Sequence, residues 1–208
     1  MQFDKYIVFE HKAWHKLQKY TEFAKGEISG IGIVEALPNF FYVPEVFLFK
    51  QVSTATHTSI DREDYMKFTS NMMKAGEPIE KLKLWWHTHG DMSVFWSPTD
   101  EANIQDFDWE KPEDNWVLSI VLNKSGNYKT RLDIFSPLRL TIHDLNVVVR
   151  EPDYGNLDQV IQHEVKEKVQ QNHTKIRRIE PDPVEEGVRK FEESLKKDIP
   201  LIGEVHES

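Results

Sequence analysis

The chain has 208 residues, 35 acidic against 26 basic side chains for a formal charge of −9, and no cysteine. Without thiols there is no disulfide, no cysteine nucleophile and no sulfur-built zinc site, so any metal must be held by His, Asp or Glu. The acidic balance argues against broad binding to nucleic-acid phosphates. The length suits one compact domain with an appendage, and 39% apolar with 12% aromatic residues can build its core.

At the N-terminus, MQFDKYIVFEHKAWHK carries Asp4, Lys5 and Glu10 where a signal peptide has an apolar run, and no stretch of the chain approaches the roughly 18 apolar residues of a membrane span. A soluble, cytoplasmic protein is expected. HKAWHKLQKYTEFA reads as a helix burying Trp14, Leu17, Tyr20 and Ala24 and ended by Gly26. EISGIGIVEAL and FFYVPEVFLFKQVS are dense in β-branched and aromatic residues and read as strands. Asp61 is placed to cap a helix, DREDYMKFTSNMMKAG, that stops at Gly76. KLKLWWH is a predicted strand and SPTDEANIQDF a short helix. WVLSIVLNKSGNYKTRLDIF is a hairpin turning at Ser125-Gly126-Asn127, and LRLTIHDLNVVVR is one more strand. This order predicts an α/β or α+β sheet with helices packed on it.

Composition changes near residue 150. Of the 24 aromatic residues only Tyr154 and Phe191 lie beyond it, and residues 151–208 carry 14 acidic against 9 basic side chains. The predicted division is therefore a domain over 1–150 and a charged helical extension over 151–208. Leu157, Val160, Ile161, Val165 and Val169 mark one amphipathic helix. After Pro181-Asp182-Pro183, a second is marked by Val184, Val188, Phe191 and Leu195. Such helices pack on the domain, on a second copy or within a larger complex. The basic cluster Lys175-Ile176-Arg177-Arg178 is too small to point to nucleic acid.

The chemistry concentrates in residues 84–104, LWWHTHGDMSVFWSPTDEANI. His87 and His89 are two apart, so on an extended strand both imidazoles point to one side. Asp100, in a predicted first helical turn, can bring a carboxylate to the same ion. Two His and one carboxylate, with a fourth position left to water, is the ligand set of a catalytic zinc site. Zinc-activated water needs a base, for which Glu27 is the candidate if its strand lies beside KLKLWWH. Ser97 is placed to hydrogen-bond a developing oxyanion. Ser97-Pro98-Thr99-Asp100 also reads as a helix start, with Ser at the N-cap, and the two roles are compatible.

Other residues carry blander expectations. His11 and His15 have helical ligand spacing but lack the glutamate of H-E-x-x-H, which predicts a solvated helix face. His57 and His143 are isolated. Trp85, Trp86, Phe95 and Trp96 are expected as core and pocket wall, with Phe95 or Trp96 the one to meet substrate. Zinc nucleobase deaminase chemistry needs a cysteine pair that the chain does not have.

A glutamate followed downstream by H-x-H-x(7)-S-x-x-D resembles the JAMM motif of the JAB/MPN metalloprotease family. It stands here as Glu27, His87, His89, Ser97 and Asp100, with Gly90 to Trp96 between the second histidine and the serine. E-I-S-G, from Glu27 to Gly30, is similar to the family's glutamate-bearing strand. Many members have proline after the second histidine where this chain has Gly90 and Asp91, which changes the loop and leaves the ligand set. The resemblance implies a cytidine-deaminase-like α/β/α sandwich, with Zn2+ on His87, His89 and Asp100, Glu27 as general acid/base and Ser97 as oxyanion stabiliser. It also implies hydrolysis of an amide or isopeptide bond in a protein or peptide, the C-terminus of a ubiquitin-like protein included. The segment from Phe107 to Trp116 is short for a large ubiquitin clamp. The family also contains non-catalytic scaffold members, which typically lack motif residues that are all present here.

Overall fold

The structure, a computed structural model, describes residues 5–108, 115–150 and 156–171. In chain order its elements begin with β1 (Tyr6–Phe9), α1 (His11–Phe23), β2 (Ser29–Gly32), β3 (Glu35–Ala36), β4 (Phe40–Val43) and β5 (Val46–Leu48). Then come β6 (Gln51–Ser53), β7 (Thr58–Ile60), α2 (Arg62–Lys74), β8 (Leu84–Thr88), α3 (Pro98–Gln105), β9 (Trp116–Leu122) and β10 (Tyr128–Ile134). The last are β11 (Leu140–His143), β12 (Val147–Val149), α4 (Leu157–Lys168) and β13 (Val169–Gln171).

Strand β8 is buried at all five positions, as a near-continuous apolar run requires of a central strand. It lies inside a six-stranded sheet of order β11-β10-β9-β8-β2-β5. Its antiparallel neighbour β2 sets Ser29 opposite His87 and Gly30 opposite Trp86, while parallel β9 sets Val121 beside His87. Alternation then sorts side chains to two faces. Leu84, Trp86, Leu118, Ile120 and Leu132 join Leu17 and Tyr20 of α1 and Ile161 and Val165 of α4 in one apolar cluster. Trp85, Val117 and Ile31 join Ile104 of α3 in the other, with Tyr65 and Phe68 of α2 packed against it. Helices thus cover both faces of the sheet, in a mixed α/β architecture. A four-stranded sheet, β12-β1-β4-β3, and a three-stranded one, β13-β6-β7, complete it.

Local signals are realised at α2, where Asp61 accepts a hydrogen bond from the Asp64 N–H at 2.8 Å, and Gly76 closes the helix with φ of 73°. Elsewhere the structure corrects the expectation. Helix α1 ends at Phe23 with Ala24 as an extended cap, and Gly26 has no left-handed φ. Gly26 is instead a close-approach residue, since a Cβ there would stand 2.5 Å from Ser53 Oγ and from the Thr54 carbonyl. The single strand expected over LRLTIHDLNVVVR breaks at Asp144, whose φ is 56°. Its halves part: β11 joins the central sheet and β12 pairs in parallel with β1.

The first amphipathic helix predicted beyond residue 150 is α4, which packs on α1 but ends at Lys168, with Val169 opening β13 instead. The compositional break at residue 150 falls inside a compact unit that runs from Met1 to His173. The second predicted amphipathic helix, the cluster Lys175 to Arg178 and most of the segment between Phe107 and Trp116 lie outside the described residues. Among the described residues, no helix is long and apolar enough to cross a membrane.

Gly30 is required by packing. A Cβ there would fall 2.1 Å from the Phe47 carbonyl oxygen and 2.5 Å from Trp86 Cζ2. Gly30→Ala is expected to lose about 1–3 kcal/mol through overpacking, read as a lower urea midpoint; an unchanged midpoint would show that the sheet yields freely here.

Candidate metal centre

The site forms where β8 runs out. His87 is its fourth residue, and the His89 N–H donates to the Leu122 carbonyl at 2.8 Å, so the extended geometry continues one step past the strand. Both imidazoles therefore stand on the same face. The Trp85 ring stacks on His87 with centroids 4.5 Å apart and fixes its tilt. His89 Nδ1 donates to the Ser93 carbonyl at 2.9 Å, which leaves the lone pair on Nε2 turned into the site. Directly after His89 the chain turns at Gly90, whose φ is 53°. Lys124 N–H to the Gly90 carbonyl (2.8 Å) and Asn123 Nδ2 to the Met92 carbonyl (2.9 Å) hold the returning loop to the end of β9.

Asp100 arrives from the first turn of α3. Ser97 Oγ accepts from the Asp100 N–H at 3.2 Å, and Asp100 Oδ2 accepts from the Ser97 N–H at 2.7 Å, a reciprocal capping box. Capping and the site use the same residues. With Oδ2 held there, Oδ1 lies 3.3 Å from His87 Nε2, which in turn is 3.3 Å from His89 Nε2. All three side chains are buried, and their ligand atoms lie within 4.8 Å of one another.

Glu27 precedes β2 by two residues, and its strand does lie beside β8. Continuing the pairing of Ser29 with His87 two steps sets Glu27 opposite His89, and the Thr88 N–H bonded to the Ile28 carbonyl at 2.9 Å keeps that register. Its backbone is pinned on the other edge as well: the Glu27 N–H donates to the Thr54 carbonyl at 2.8 Å, and Ser53 Oγ donates to the Glu27 carbonyl at 2.6 Å.

Burial sets the electrostatics. It pushes the Glu27 carboxyl, 9% exposed, up to about 7, with the His89 charge opposing and the Asp100 charge reinforcing. It pushes His87 down. On His89 burial is outweighed by Asp100, the Ser93 carbonyl and Glu27, which together raise it. Burial also opposes the Asp100 charge, yet hydrogen bonds from His87, His89 and Ser97 hold that carboxyl well below the usual range. Two imidazole nitrogens and a carboxylate oxygen thus converge on one point. Among the described residues His87 Nδ1 is buried without a hydrogen-bond partner, and the ring is held by the cluster and the Trp85 stack. Such a donor set can hold a metal ion.

No protein-family model matches the chain, and no curated protein matches it. The fold is similar to the solution structure of a protein from Desulfitobacterium hafniense, with a TM-score of 0.50 at 14% identity over 70% of this chain and 94% of that one. That likeness speaks to the general fold alone.

The remaining expectations divide. Trp86 is core on the opposite face, stacked on Tyr20 at 5.5 Å. Phe95 meets His89 edge-on at 4.7 Å and is 43% exposed, whereas Trp96 is half-buried beneath the Arg131 guanidinium. His57 and His143 are exposed. His11 and His15 are half-buried on α1 rather than fully solvated, and His15 pairs with Asp158 of α4. Sequence reasoning missed Arg131 and Asp133. Their signal was two opposite charges spaced by two, hence on one face, in a predicted hairpin strand.

The raised Glu27 carboxyl makes stability depend on pH. Its folded value of about 7 lies above the ordinary 4.5, so the folded state binds the proton more tightly. That contribution is fully present below about pH 4.5 and is lost as pH rises through 7. In metal-free protein, Glu27→Gln is expected to match wild type at pH 4.5 and to exceed it by on the order of 2 kcal/mol at pH 8. Parallel melting curves at both pH values would place Glu27 in an ordinary aqueous environment.

Proposed function

We propose that the chain is a zinc-dependent peptidase or isopeptidase of JAB/MPN type, with the cytidine-deaminase-like sandwich of that family, hydrolysing an amide or isopeptide bond in a protein or peptide. One observation carries the reading. Two ligand atoms on a tetrahedral zinc with bonds of about 2.0–2.1 Å lie about 3.3–3.4 Å apart, and His87 Nε2 stands 3.3 Å from both His89 Nε2 and Asp100 Oδ1. Among the described residues three protein donors converge rather than four, which leaves a coordination position open, the feature that separates a catalytic from a structural site.

A zinc ion held there supplies Lewis acidity, making water nucleophilic near neutral pH and polarising the carbonyl under attack. Glu27 carries the proton. Made more basic than an ordinary carboxylate by its burial, its carboxylate takes a proton from the attacking water as the C–O bond forms. The resulting carboxylic acid then gives that proton to the departing amine as the C–N bond breaks. Ser97 Oγ uses a lone pair on the Asp100 N–H and keeps its hydroxyl hydrogen for the oxygen of the attacked carbonyl. Phe95, exposed beside His89, offers an apolar surface to the substrate chain. The JAMM resemblance adds the C-terminus of a ubiquitin-like protein as substrate class.

Purified protein is expected to contain about one zinc per chain and His87→Ala little or none; substoichiometric zinc unchanged in the variant would sink the reading. Glu27→Gln is expected to keep zinc and lose at least about 100-fold in cleavage of a ubiquitin-like fusion or an unstructured peptide, and full activity would remove Glu27 from the mechanism. Phe95→Ala is expected to raise KM with kcat little changed. Stoichiometric zinc with no cleavage of either substrate class would favour an assembly role instead.

A further inference from the structure

Arg131 of β10 lies on the same sheet face as the metal centre, opposite Ser119 of β9, which is level with Trp85 of β8. It is 3% exposed, and each of its three guanidinium nitrogens donates a hydrogen bond. Its Nε and Nη2 fork onto Asp133 Oδ2 and Oδ1 at 2.7 and 2.6 Å, and Nη1 donates to Glu101 Oε1 at 2.5 Å. The guanidinium carbon sits 5.3 Å from the centroid of the Trp96 ring. Asp133 is itself steadied by Thr141 Oγ1, which donates to Oδ1 at 2.8 Å.

Taking this cation and the Asp133 carboxylate out of water is costly, and an apolar replacement of similar volume is often at least as stable. Fold stability alone therefore gives no reason for the cluster. What it achieves geometrically is specific. Trp96 immediately precedes Ser97 and Glu101 immediately follows Asp100, so one guanidinium grips both flanks of the turn that delivers the third ligand. Helix α3 has only eight residues and, Asp100 apart, a single buried side chain, Ile104, so its own packing fixes the first turn weakly.

We propose that Arg131 is a positioning residue of the metal centre, holding the turn from Trp96 to Glu101 so that the Asp100 carboxylate meets His87 and His89. It touches neither metal nor substrate and acts through Trp96 and Glu101. The inference rests on the zinc reading above.

The test is zinc affinity of the full chain, measured by competition with a chromophoric chelator, for wild type, Arg131→Lys and Glu101→Gln. Arg131→Lys keeps the charge but loses the fork. Glu101→Gln alters a half-exposed carboxylate, 49% accessible, and so leaves the core intact should the buried variant fail to fold. Zinc affinity is expected to fall 10- to 100-fold in Arg131→Lys and about 10-fold in Glu101→Gln, the range for outer groups that orient metal ligands. The metal-free Glu101→Gln protein is expected to melt within about 2 °C of wild type. Cobalt-loaded variants are expected to show weaker visible bands than cobalt-loaded wild type, as the tetrahedral arrangement relaxes. Wild-type zinc affinity and cobalt spectrum in Glu101→Gln and in folded Arg131→Lys would overturn the positioning role and leave the metal centre standing. Wild-type protein that binds no zinc would overturn both.

Discussion

The antiparallel pairing of β2 with β8 decides which side chains can meet. Side chains alternate along a strand, so a slip of one residue would turn His87 and His89 toward the face where Trp86 packs on Tyr20. Three features oppose that slip. Trp86 lies against the bare α-carbon of Gly30, where no other residue fits. Thr88 Oγ1 accepts from the Ile28 N–H at 3.1 Å while the Thr88 N–H donates to the Ile28 carbonyl. On the far edge, Gln51 extends its side-chain amide like a piece of backbone, accepting from the Ser29 N–H at 2.9 Å and donating to the Ser29 carbonyl at 3.0 Å. Glu27, two residues upstream, inherits its place from these contacts.

The site so assembled is expensive. Glu27, His87, His89 and Asp100 are all withdrawn from water, and the same burial that raises Glu27 lowers His87. Their mutual hydrogen bonds and charges compensate in part, as the strongly lowered Asp100 carboxyl records. A divalent cation among the three side chains would complete that compensation. The surrounding polar contacts orient the ligands: the Ser93 carbonyl on His89, the Ser97 cap on Asp100, and the Arg131 cluster on the turn that bears it.

Elements whose determinants are local were legible. Asp61 and Gly76 bracket α2, and Gly126, with φ of 79°, turns the β9–β10 hairpin. Elements set by remote partners were not. The four residues of β1 find their parallel partners in β4 and β12, far along the chain, and the split between β11 and β12 depends on Asp144 entering a left-handed conformation that few non-glycine residues adopt. A charged, aromatic-poor α4 looked like an appendage by composition. Two of its residues, Ile161 and Val165, are nonetheless enough to anchor it in the same apolar cluster as Leu17.

The sequence by itself determined the candidate site. His87, His89, Ser97 and Asp100 fall within fourteen residues, and strand and helix periodicities carry spacing directly into geometry over so short a span. The absence of cysteine made those side chains the natural donors. Only the tertiary structure decided that Glu27 stands across from His89, that Phe95 rather than Trp96 faces solvent, and that Arg131 joins Asp133 to Glu101 beside the turn that bears Asp100. Each depends on strand register or on packing between elements distant in the chain, and in those relations the spacing along one segment says nothing about the other.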